Sequence, residues 1–421
     1  MKKKNKKSKK IKNKTLRIIL SALTYLFSAL IAIYLVIYLL VPTYHFNEPR
    51  PFSGEYLYNP YQDINPDQWK KYNFHCHSRR FFGLTDGRQS KEPVIDSVYQ
   101  FMGYDHYGIS DYMSINRHNA ENEDYIPAYE HGYGLFRKTH QLCIGARKVW
   151  RIDYPFVQNL NIKQHVINKL GEHSRFVVPA HASFTDAYKP KEMIYLSNYR
   201  LLEILNPYGI AIEHWDIALS NGHRVYGIGS DDTHNVLNPH EVARNITVIN
   251  TPDMKEGTVC DALEKGQSYV LKFDNEHYYH LPFEIMSKDL RSAAYLKMAK
   301  LSGDTLFVET SAEMVKGVAF IGQDGKTLKT QENVRTAFYV IQPEDTYIRT
   351  RIDLNDYQHI YLNPVTRHFS TAIIDTRLDS VNVALTTLYY LVYAVVLIII
   401  IRYVIRKLKA KAKTTNTPKR T

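Results

Sequence analysis

Two long apolar segments place the strongest constraint on what this chain can fold into. The first, residues 18–40, runs for 23 residues without a charge, and the second, residues 383–401, runs for 19. About 20 apolar residues in a helix cross the roughly 30 Å hydrocarbon core of a bilayer, so each segment predicts a transmembrane helix. The first exceeds the apolar stretch of about 7–15 residues in cleaved secretory signals, which predicts a retained anchor. Two buried helices of a soluble core are the alternative, and the flanking charges fit it poorly.

The positive charge of the chain lies at its two ends. Residues 1–17 contain ten Lys or Arg and residues 402–421 contain eight, and neither tail contains an acidic residue. Subtracting these 18 charges from the net charge of +12 leaves −6 for residues 18–401. The positive-inside rule then predicts a two-pass protein of the inner (cytoplasmic) membrane, with both termini cytoplasmic and the main domain extracytoplasmic. We expect the lipid bilayer as a partner of the chain and do not expect nucleic acid.

The three cysteines do not form a disulfide framework, because they are few and odd in number. A hydrophobic core, rather than disulfide bonds, must therefore stabilise the predicted extracytoplasmic domain. Composition along the sequence predicts this organisation: basic tail 1–17, transmembrane helix 18–41, linker 42–71, α/β domain 72–280, small β domain 281–370, linker 371–382, transmembrane helix 383–405 and basic tail 406–421.

Between residues 72 and 269 short apolar runs alternate with longer amphipathic segments. This alternation predicts an α/β fold with parallel strands, and the number of strands suggests a barrel. The predicted strands are Asn73–His77, His106–Ser110, Gln141–Ile144, Phe176–Ala180, Leu202–Leu205, Arg224–Ile228 and Ala243–Ile249. The predicted helices are Val94–Met102, Val157–Leu170, Lys191–Asn198, Ile212–Ser220 and Thr258–Glu264.

Histidine and aspartate side chains follow several of these predicted strands. His75 and His77 are two residues apart, as are Asp232 and His234, and His181 follows the strand Phe176–Ala180. Residues at i and i+2 of a strand lie on the same face, and in barrels of this kind the chemistry lies at the carboxyl ends of the strands. Imidazole and carboxylate ligands suit divalent ions such as Zn, Mn and Fe. For each residue alone, a solvated loop or a satisfied core histidine is the alternative.

These motifs, taken in order, resemble those of the PHP (polymerase and histidinol phosphatase) superfamily. The resemblance covers roughly residues 72–270. It rests on His75-Cys76-His77-Ser78 with Asp86-Gly87, on residues 103–111, on Pro179-Ala180-His181 and on Ser230-Asp231-Asp232-Thr233-His234. It implies a distorted (β/α)7 barrel that hydrolyses phosphoesters with up to three divalent metals. The positions that match metal ligands of the family are His75, His77, His181, Asp232 and His234.

Two positions depart from the family pattern. The family's Thr-Asp-His is Ser110-Asp111-Tyr112 here, so a phenol replaces an imidazole. Where the family has Gly-x-Glu with a metal-bridging carboxylate, the nearest match is Gly145-Ala146-Arg147, and a guanidinium does not bind a cation. We therefore expect one or two metal ions rather than three.

Residues 281–370 have a different pattern, made of short β-type runs. Residues 347–353 alternate apolar and charged side chains, and Asp324-Gly325 is typical of a two-residue hairpin turn. The sequence thus predicts a small antiparallel β domain after the barrel.

The function predicted for this chain is metal-dependent hydrolysis of a phosphoester. His181 or His234 would serve as the acid or base, and Arg147 would bind the phosphate. The substrate class is a phosphorylated small molecule or an envelope component. The alternative from another class is a catalytically inactive, metal- or anion-binding envelope module with a scaffolding or sensing role. A structural double anchor whose histidines have no function is the third possibility.

Overall fold

The computed structural model describes residues 2–46, 48–80, 87, 89–278, 280–371 and 379–415. The chain is a mixed α/β protein with two long apolar helices, and it divides into two compact units. One unit is Met1–His45 with Ser380–Thr421, and the other is Phe46–Asp379. Part of the predicted linker 371–382, residues 372–378, lies outside the described residues.

The first unit consists mainly of α1 (Lys2–Leu39) and α8 (Val383–Thr415). Within them, Thr15–Leu39 and Val383–Lys407 are long and apolar enough to cross a membrane. The ends of the two helices are joined by hydrogen bonds: Tyr390 Oη donates to the Leu40 carbonyl at 2.6 Å, and Asn382 N donates to the Thr43 carbonyl at 2.8 Å. These hydrogen bonds join the end of α1 to the start of α8.

The second unit contains the remaining helices. They are α2 (Glu92–Met102), α3 (Leu160–Gly171), α4 (Ile212–Ser220), α5 (Glu256–Glu264), α6 (Asn275–Tyr278) and α7 (Phe283–Ser292). Asn159 caps α3 by accepting a hydrogen bond from Ile162 N, which satisfies one of the free N–H groups of the first turn. The predicted helix at 191–198 is wrong, since this segment has only a 3-10 turn at Pro190–Ile194.

Twenty-one strands occur in the described residues. They are β1 (Tyr44–Phe46), β2 (Tyr56–Tyr58), β3 (Trp69–Asn73), β4 (His106–Tyr107), β5 (Ala128–His131), β6 (Gln141–Ile144), β7 (Phe176–Pro179), β8 (Leu201–Asn206), β9 (Gly209–Ile210), β10 (Tyr226–Gly229), β11 (Asn245–Asn250), β12 (Ser268–Phe273), β13 (Leu296–Ser302), β14 (Thr305–Thr310), β15 (Val315–Ile321), β16 (Thr327–Val334), β17 (Thr336–Val340), β18 (Tyr347–Asp353), β19 (Gln358–Leu362), β20 (Val365–His368) and β21 (Asp379–Val381).

The largest sheet combines strands from both halves of the second unit. Its order is β16-β15-β18-β19-β12-β11-β3-β4, with β20 and β2 attached through β18. Smaller sheets are β10-β8-β9, β5-β6-β7, β13-β14-β17 and β1-β21. The β15–β16 connection turns at Asp324 and Gly325, which both have positive φ (58° and 70°), as the sequence predicts for this hairpin.

The expectation of parallel strands holds for part of the fold. β3 is parallel to β4, and β8 is parallel to β10. By contrast, β6 is antiparallel to both β5 and β7, and β11 is antiparallel to β3. The reversal at β6 matters for function, because the carboxyl end of an antiparallel strand points to the opposite end of the structure.

Two isolated bridges connect strands beyond their regular parts. Cys76, just after β3, bridges Thr233 in parallel, and Tyr112 bridges Glu130 in parallel. β7 and β8 lie side by side. These contacts bring the segments after β3, β5, β7, β8 and β10 together at one end of the structure.

A buried ion pair joins α4 to strand β18. The Arg349 guanidinium donates to both carboxylate oxygens of Asp216 at 2.7 Å, and Tyr347 Oη donates to the same carboxylate at 3.1 Å. Asp216 and Arg349 are both buried. Removing one partner of such a pair leaves a buried charge without compensation.

We therefore expect Asp216→Ala to destabilise the protein by about 3–5 kcal/mol, visible as a lower melting temperature of the detergent-solubilised chain. Asp356→Ala is the matched control, because its pair with Lys316 is exposed and such pairs contribute little to stability. Equal melting temperatures for the two variants would contradict this prediction.

Candidate metal centre

The two histidines of the His-x-His motif lie just beyond the end of β3. The strand ends at Asn73 rather than continuing to His77 as predicted. The backbone nevertheless stays extended enough for His77 N to donate to the Thr233 carbonyl at 2.9 Å. Since Thr233 lies between Asp232 and His234, this pairing brings both two-residue motifs to the same place.

Four side chains converge there. His75 Nε2 lies 3.4 Å from Glu130 Oε2 and 3.3 Å from Asp232 Oδ1. His77 Nε2 lies 3.2 Å from each of the same two oxygens. All four residues are buried. The four distances are nearly equal, so the four atoms surround one point.

This arrangement fits a divalent ion better than it fits a hydrogen-bond network. Ligands about 2.0–2.1 Å from a tetrahedral ion are about 3.3–3.4 Å from one another, close to the distances found here. In addition, His75 Nε2, Glu130 Oε2 and Asp232 Oδ1 are buried without a hydrogen-bond partner in the described structure. Buried polar atoms are normally hydrogen-bonded, and an ion would satisfy all three.

Glu203, in the middle of β8, holds the ligands in place. One oxygen contacts His75 Nδ1 at 3.0 Å, and the other accepts hydrogen bonds from His181 N at 2.6 Å and Asn206 Nδ2 at 2.9 Å. Asn206 Nδ2 also donates to Asp232 Oδ2 at 3.1 Å. A histidine that donates one ring N–H to a carboxylate has its other nitrogen oriented and free to bind metal.

A second group of potential ligands adjoins the first through Glu130. Its Oε1 lies 2.6 Å from His140 Nδ1 and 3.1 Å from His181 Nε2. His75, Glu130 and His181 together offer ligand atoms close enough for one ion, as do His75, His77 and Asp232. The two groups share His75, and Glu130 contacts the histidines of both.

Charge neutralisation explains the pKa shifts in this cluster. Burial alone would lower the pKa of His75, but the carboxylates of Asp232, Glu130 and Glu203 together raise it well above its usual value. Burial alone would raise the pKa of Glu130, but His140 and His75 lower it well below its usual range. Without an ion, protons on imidazoles balance the carboxylates; a divalent ion supplies the same positive charge.

Two of these residues have unusual backbone conformations. His181 and Asp232 both have positive φ, 30° and 45°, which is uncommon for residues other than glycine. Such strain persists where surrounding contacts impose it, and it is concentrated at functional sites. The hydrogen bond from His181 N to Glu203 is one such contact.

A pocket of about 390 Å³ opens onto this cluster. His234 lines it, and its Nδ1 donates to the Asp232 carbonyl at 2.9 Å. Burial and the neighbouring His77 lower the pKa of His234, which favours a neutral ring with an available Nε2. The other lining residues are aromatic or ionisable: Tyr112, Tyr133, Lys138, His140, His181, Phe184, Tyr208 and Asp232.

The structure brings together four of the ligands predicted from the sequence: His75, His77, His181 and Asp232. The fifth, His234, lies beside them, with its Nδ1 3.7 Å from Asp232 Oδ1. Arg147 does not join them. It is exposed and lines a different pocket with His173, because β6 runs antiparallel and its carboxyl end points away from the cluster. A role for Arg147 in binding the phosphate therefore has no support from its position.

The sequence predicted no carboxylate between two groups of ligands, and in the structure Glu130 lies in such a position, in contact with His75 and His77 on one side and His140 and His181 on the other. Glu130 lies on β5, a four-residue strand that the sequence pattern did not separate from the surrounding loop. The sequence also gave no reason to select His140 and Glu203. The available signal was the short run Ala128-Tyr129-Glu130-His131, in which two ionisable residues follow a buried apolar pair.

Tyr112 lies where the family pattern has a histidine, and its ring stacks on His77 at 4.6 Å between centroids. Asp111 is buried and accepts hydrogen bonds from Ser78 N, Ser78 Oγ and Asn116 Nδ2 rather than facing the cluster. Asp86, part of the sequence resemblance, lies outside the described residues.

Comparisons with known proteins give one structural likeness. No protein-family model matches the chain, and no curated protein matches it. The chain is similar to the crystal structure of a two-domain protein containing a predicted PHP-like metal-dependent phosphoesterase from Bacteroides vulgatus. The two are 13% identical over 75% of this chain and 90% of that chain, with a TM-score of 0.37.

Proposed function

We propose that this protein is a membrane-anchored, metal-dependent phosphoesterase of the PHP type whose active site is the cluster around Glu130. The observation that carries the proposal is the convergence of His75, His77, Glu130 and Asp232 at 3.2–3.4 Å, with three of their atoms buried and lacking hydrogen bonds. In this proposal His75, His77, Glu130 and Asp232 would hold one divalent ion, and Glu130, His140 and His181 would hold a second.

A divalent ion held by these residues would lower the pKa of a bound water and polarise a phosphoryl oxygen. The surrounding residues would orient the ligands, transfer protons and bind the phosphate. Glu203 fixes the orientation of His75, and the neutral His234 can accept a proton at Nε2. Among the described residues that line the pocket, Lys138 is the one lysine or arginine, which suits it to bind a phosphate oxygen.

The finer features of the fold and location belong to the same proposal. We infer that β3, β10, β8, β7, β6, β5 and β4 follow one another around an irregular seven-stranded barrel. The bridges Cys76–Thr233 and Tyr112–Glu130 and the contact between β7 and β8 support this order. The basic tails support cytoplasmic termini and an extracytoplasmic active site.

Activity of the full chain in detergent tests the proposal. We expect hydrolysis of p-nitrophenyl phosphate or bis-p-nitrophenyl phosphate that EDTA abolishes and that added Mn²⁺ or Zn²⁺ restores. Stoichiometric metal without hydrolysis of any phosphoester would favour the inactive, metal-binding module instead. Absence of bound metal after purification in metal-supplemented buffer would contradict both.

Lys138→Gln tests the proposed phosphate contact. We expect the KM for the phosphoester to rise by about tenfold or more while the metal content stays unchanged, because a charge-assisted hydrogen bond to phosphate contributes about 1.5–3 kcal/mol. Lys189→Gln is the matched control, since Lys189 is exposed and does not line this pocket. An unchanged KM in Lys138→Gln would remove the residue from the site.

A further inference from the structure

Six aromatic side chains that line the pocket beside the metal centre follow one another in a closed circuit. The centroids of neighbouring rings are 5.2–6.4 Å apart. In order around the circuit they are Tyr112, His234, Tyr208, Phe184, His181 and His140. We call these six residues the aromatic collar. Aromatic rings attract one another at centroid distances of about 4.5–7 Å, so each ring of the collar is held by two neighbours.

Four rings of the aromatic collar have surface that a ligand can reach. Tyr208 is 42% exposed, and Tyr112, Phe184 and His234 are half-buried. The other two, both imidazoles that contact the metal-centre carboxylate, are buried. A molecule in the pocket therefore contacts ring surface, most of which belongs to tyrosine and phenylalanine.

The aromatic collar is attached directly to the metal centre. The ring of Tyr112 stacks on His77, with 4.6 Å between the two centroids. Tyr208 N donates to Asn206 Oδ1 at 2.8 Å, and Nδ2 of the same amide donates to Asp232 Oδ2 at 3.1 Å. A phosphate bound at the metal centre would therefore place the organic group of its ester within the collar.

The charge and the size of the pocket restrict what that organic group can be. Among the described residues that line the pocket, Lys138 is the one lysine or arginine and Asp232 is the one acid. The other lining side chains are tyrosine, phenylalanine and histidine, which favour an uncharged organic group. The pocket has a volume of about 390 Å³. A cavity of about 150 Å³ holds benzene, so one ring fits together with a phosphate.

We propose that the aromatic collar selects phosphoesters whose organic group carries a flat, uncharged ring close to the phosphorus atom. This inference rests on the proposed function, because the metal centre fixes where the phosphate lies. A flat ring can pack face to face or edge to face against the collar, as aromatic pairs prefer. A saturated ring of similar size lacks the planar π face that such packing requires.

Binding of three phosphonates to the full chain in detergent, loaded with Mn²⁺, tests the proposal. The probes are benzylphosphonate, cyclohexylmethylphosphonate and methylphosphonate, and calorimetry measures their affinities. Their carbon–phosphorus bond is not a phosphoester, so binding is measured whether or not the protein is a hydrolase. We expect benzylphosphonate to bind about tenfold or more tightly than either of the others, as stacking of one base on an aromatic side chain does.

The double variant Phe184→Ala/Tyr208→Ala is expected to bring the affinities for benzylphosphonate and methylphosphonate close together. Tyr208→Ala alone, at an exposed position, gives the same direction of change should the double variant fold poorly. Tyr208→Phe keeps the ring and should keep the preference. Tyr295→Ala is the matched control, because Tyr295 is 39% exposed and does not line this pocket.

Equal affinities of the unmodified chain for benzylphosphonate and cyclohexylmethylphosphonate would overturn the selection of a flat ring. An unchanged preference in both collar variants, or an equal loss in Tyr295→Ala, would overturn the role of the aromatic collar. Hydrolysis of phosphoesters together with either of these results would leave the phosphoesterase in place and remove the collar alone. A preference for benzylphosphonate without any hydrolysis would support the collar and contradict the phosphoesterase.

Discussion

His75→Ala is expected to lower the affinity of the purified protein for divalent metal by more than about 100-fold and to abolish phosphoester hydrolysis. Loss of an outer partner of a metal ligand alone typically reduces affinity 10–100-fold, and His75 contributes the ligand atom itself. His75 Nε2 lies within 3.4 Å of both carboxylates of the cluster, so no neighbouring side chain can replace it without moving. Metal content by inductively coupled plasma mass spectrometry, together with the hydrolysis assay, measures the effect.

His118→Ala is the matched control for this substitution. His118 is partly exposed, pairs with Asp96 at 2.7 Å and lies outside the cluster, so its removal should leave metal content and hydrolysis unchanged. Wild-type metal content in His75→Ala would show that the ligands are assigned wrongly. The hydrolase proposal would then lose its physical basis.

The second large effect is expected for Glu130→Gln. The amide keeps the volume of the side chain but removes the negative charge, and its nitrogen cannot bind a cation. Glu130 contacts His75 and His77 through Oε2 and His140 and His181 through Oε1, so the substitution affects both proposed ion positions. We expect the rate of hydrolysis to fall by about 1,000-fold or more, because the substitution would remove metal-assisted catalysis.

Arg147→Ala provides the contrast, because sequence reasoning assigned this position to the site and the structure places it elsewhere. We expect its activity and metal content to equal those of the wild type. Full activity in Glu130→Gln together with a loss in Arg147→Ala would reverse the assignment made from the structure. The melting temperatures of both variants establish whether each protein is folded.

Local sequence patterns predicted much of the secondary structure. Strands β6, β7 and β8 lie within a residue or two of the predicted runs, because apolar residues flanked by Gly, Pro and Asn favour strands regardless of the rest of the chain. The pattern could not predict the direction in which β6 runs. Strand direction depends on which neighbour pairs with it, and a four-residue apolar run fits either direction.

The sequence by itself determined the two apolar helices, the histidine and aspartate pairs at i and i+2, and therefore the chemical nature of the site. These features depend on composition and short spacing, which the linear chain contains in full. The tertiary structure decided which carboxylate completes the site. Glu130 contacts His75 and His77 although it lies more than 50 residues away in the sequence. Arg147 lies away from the metal centre, because β6 runs antiparallel to β7. Which distant side chains meet depends on strand pairing and packing, and no local pattern specifies those.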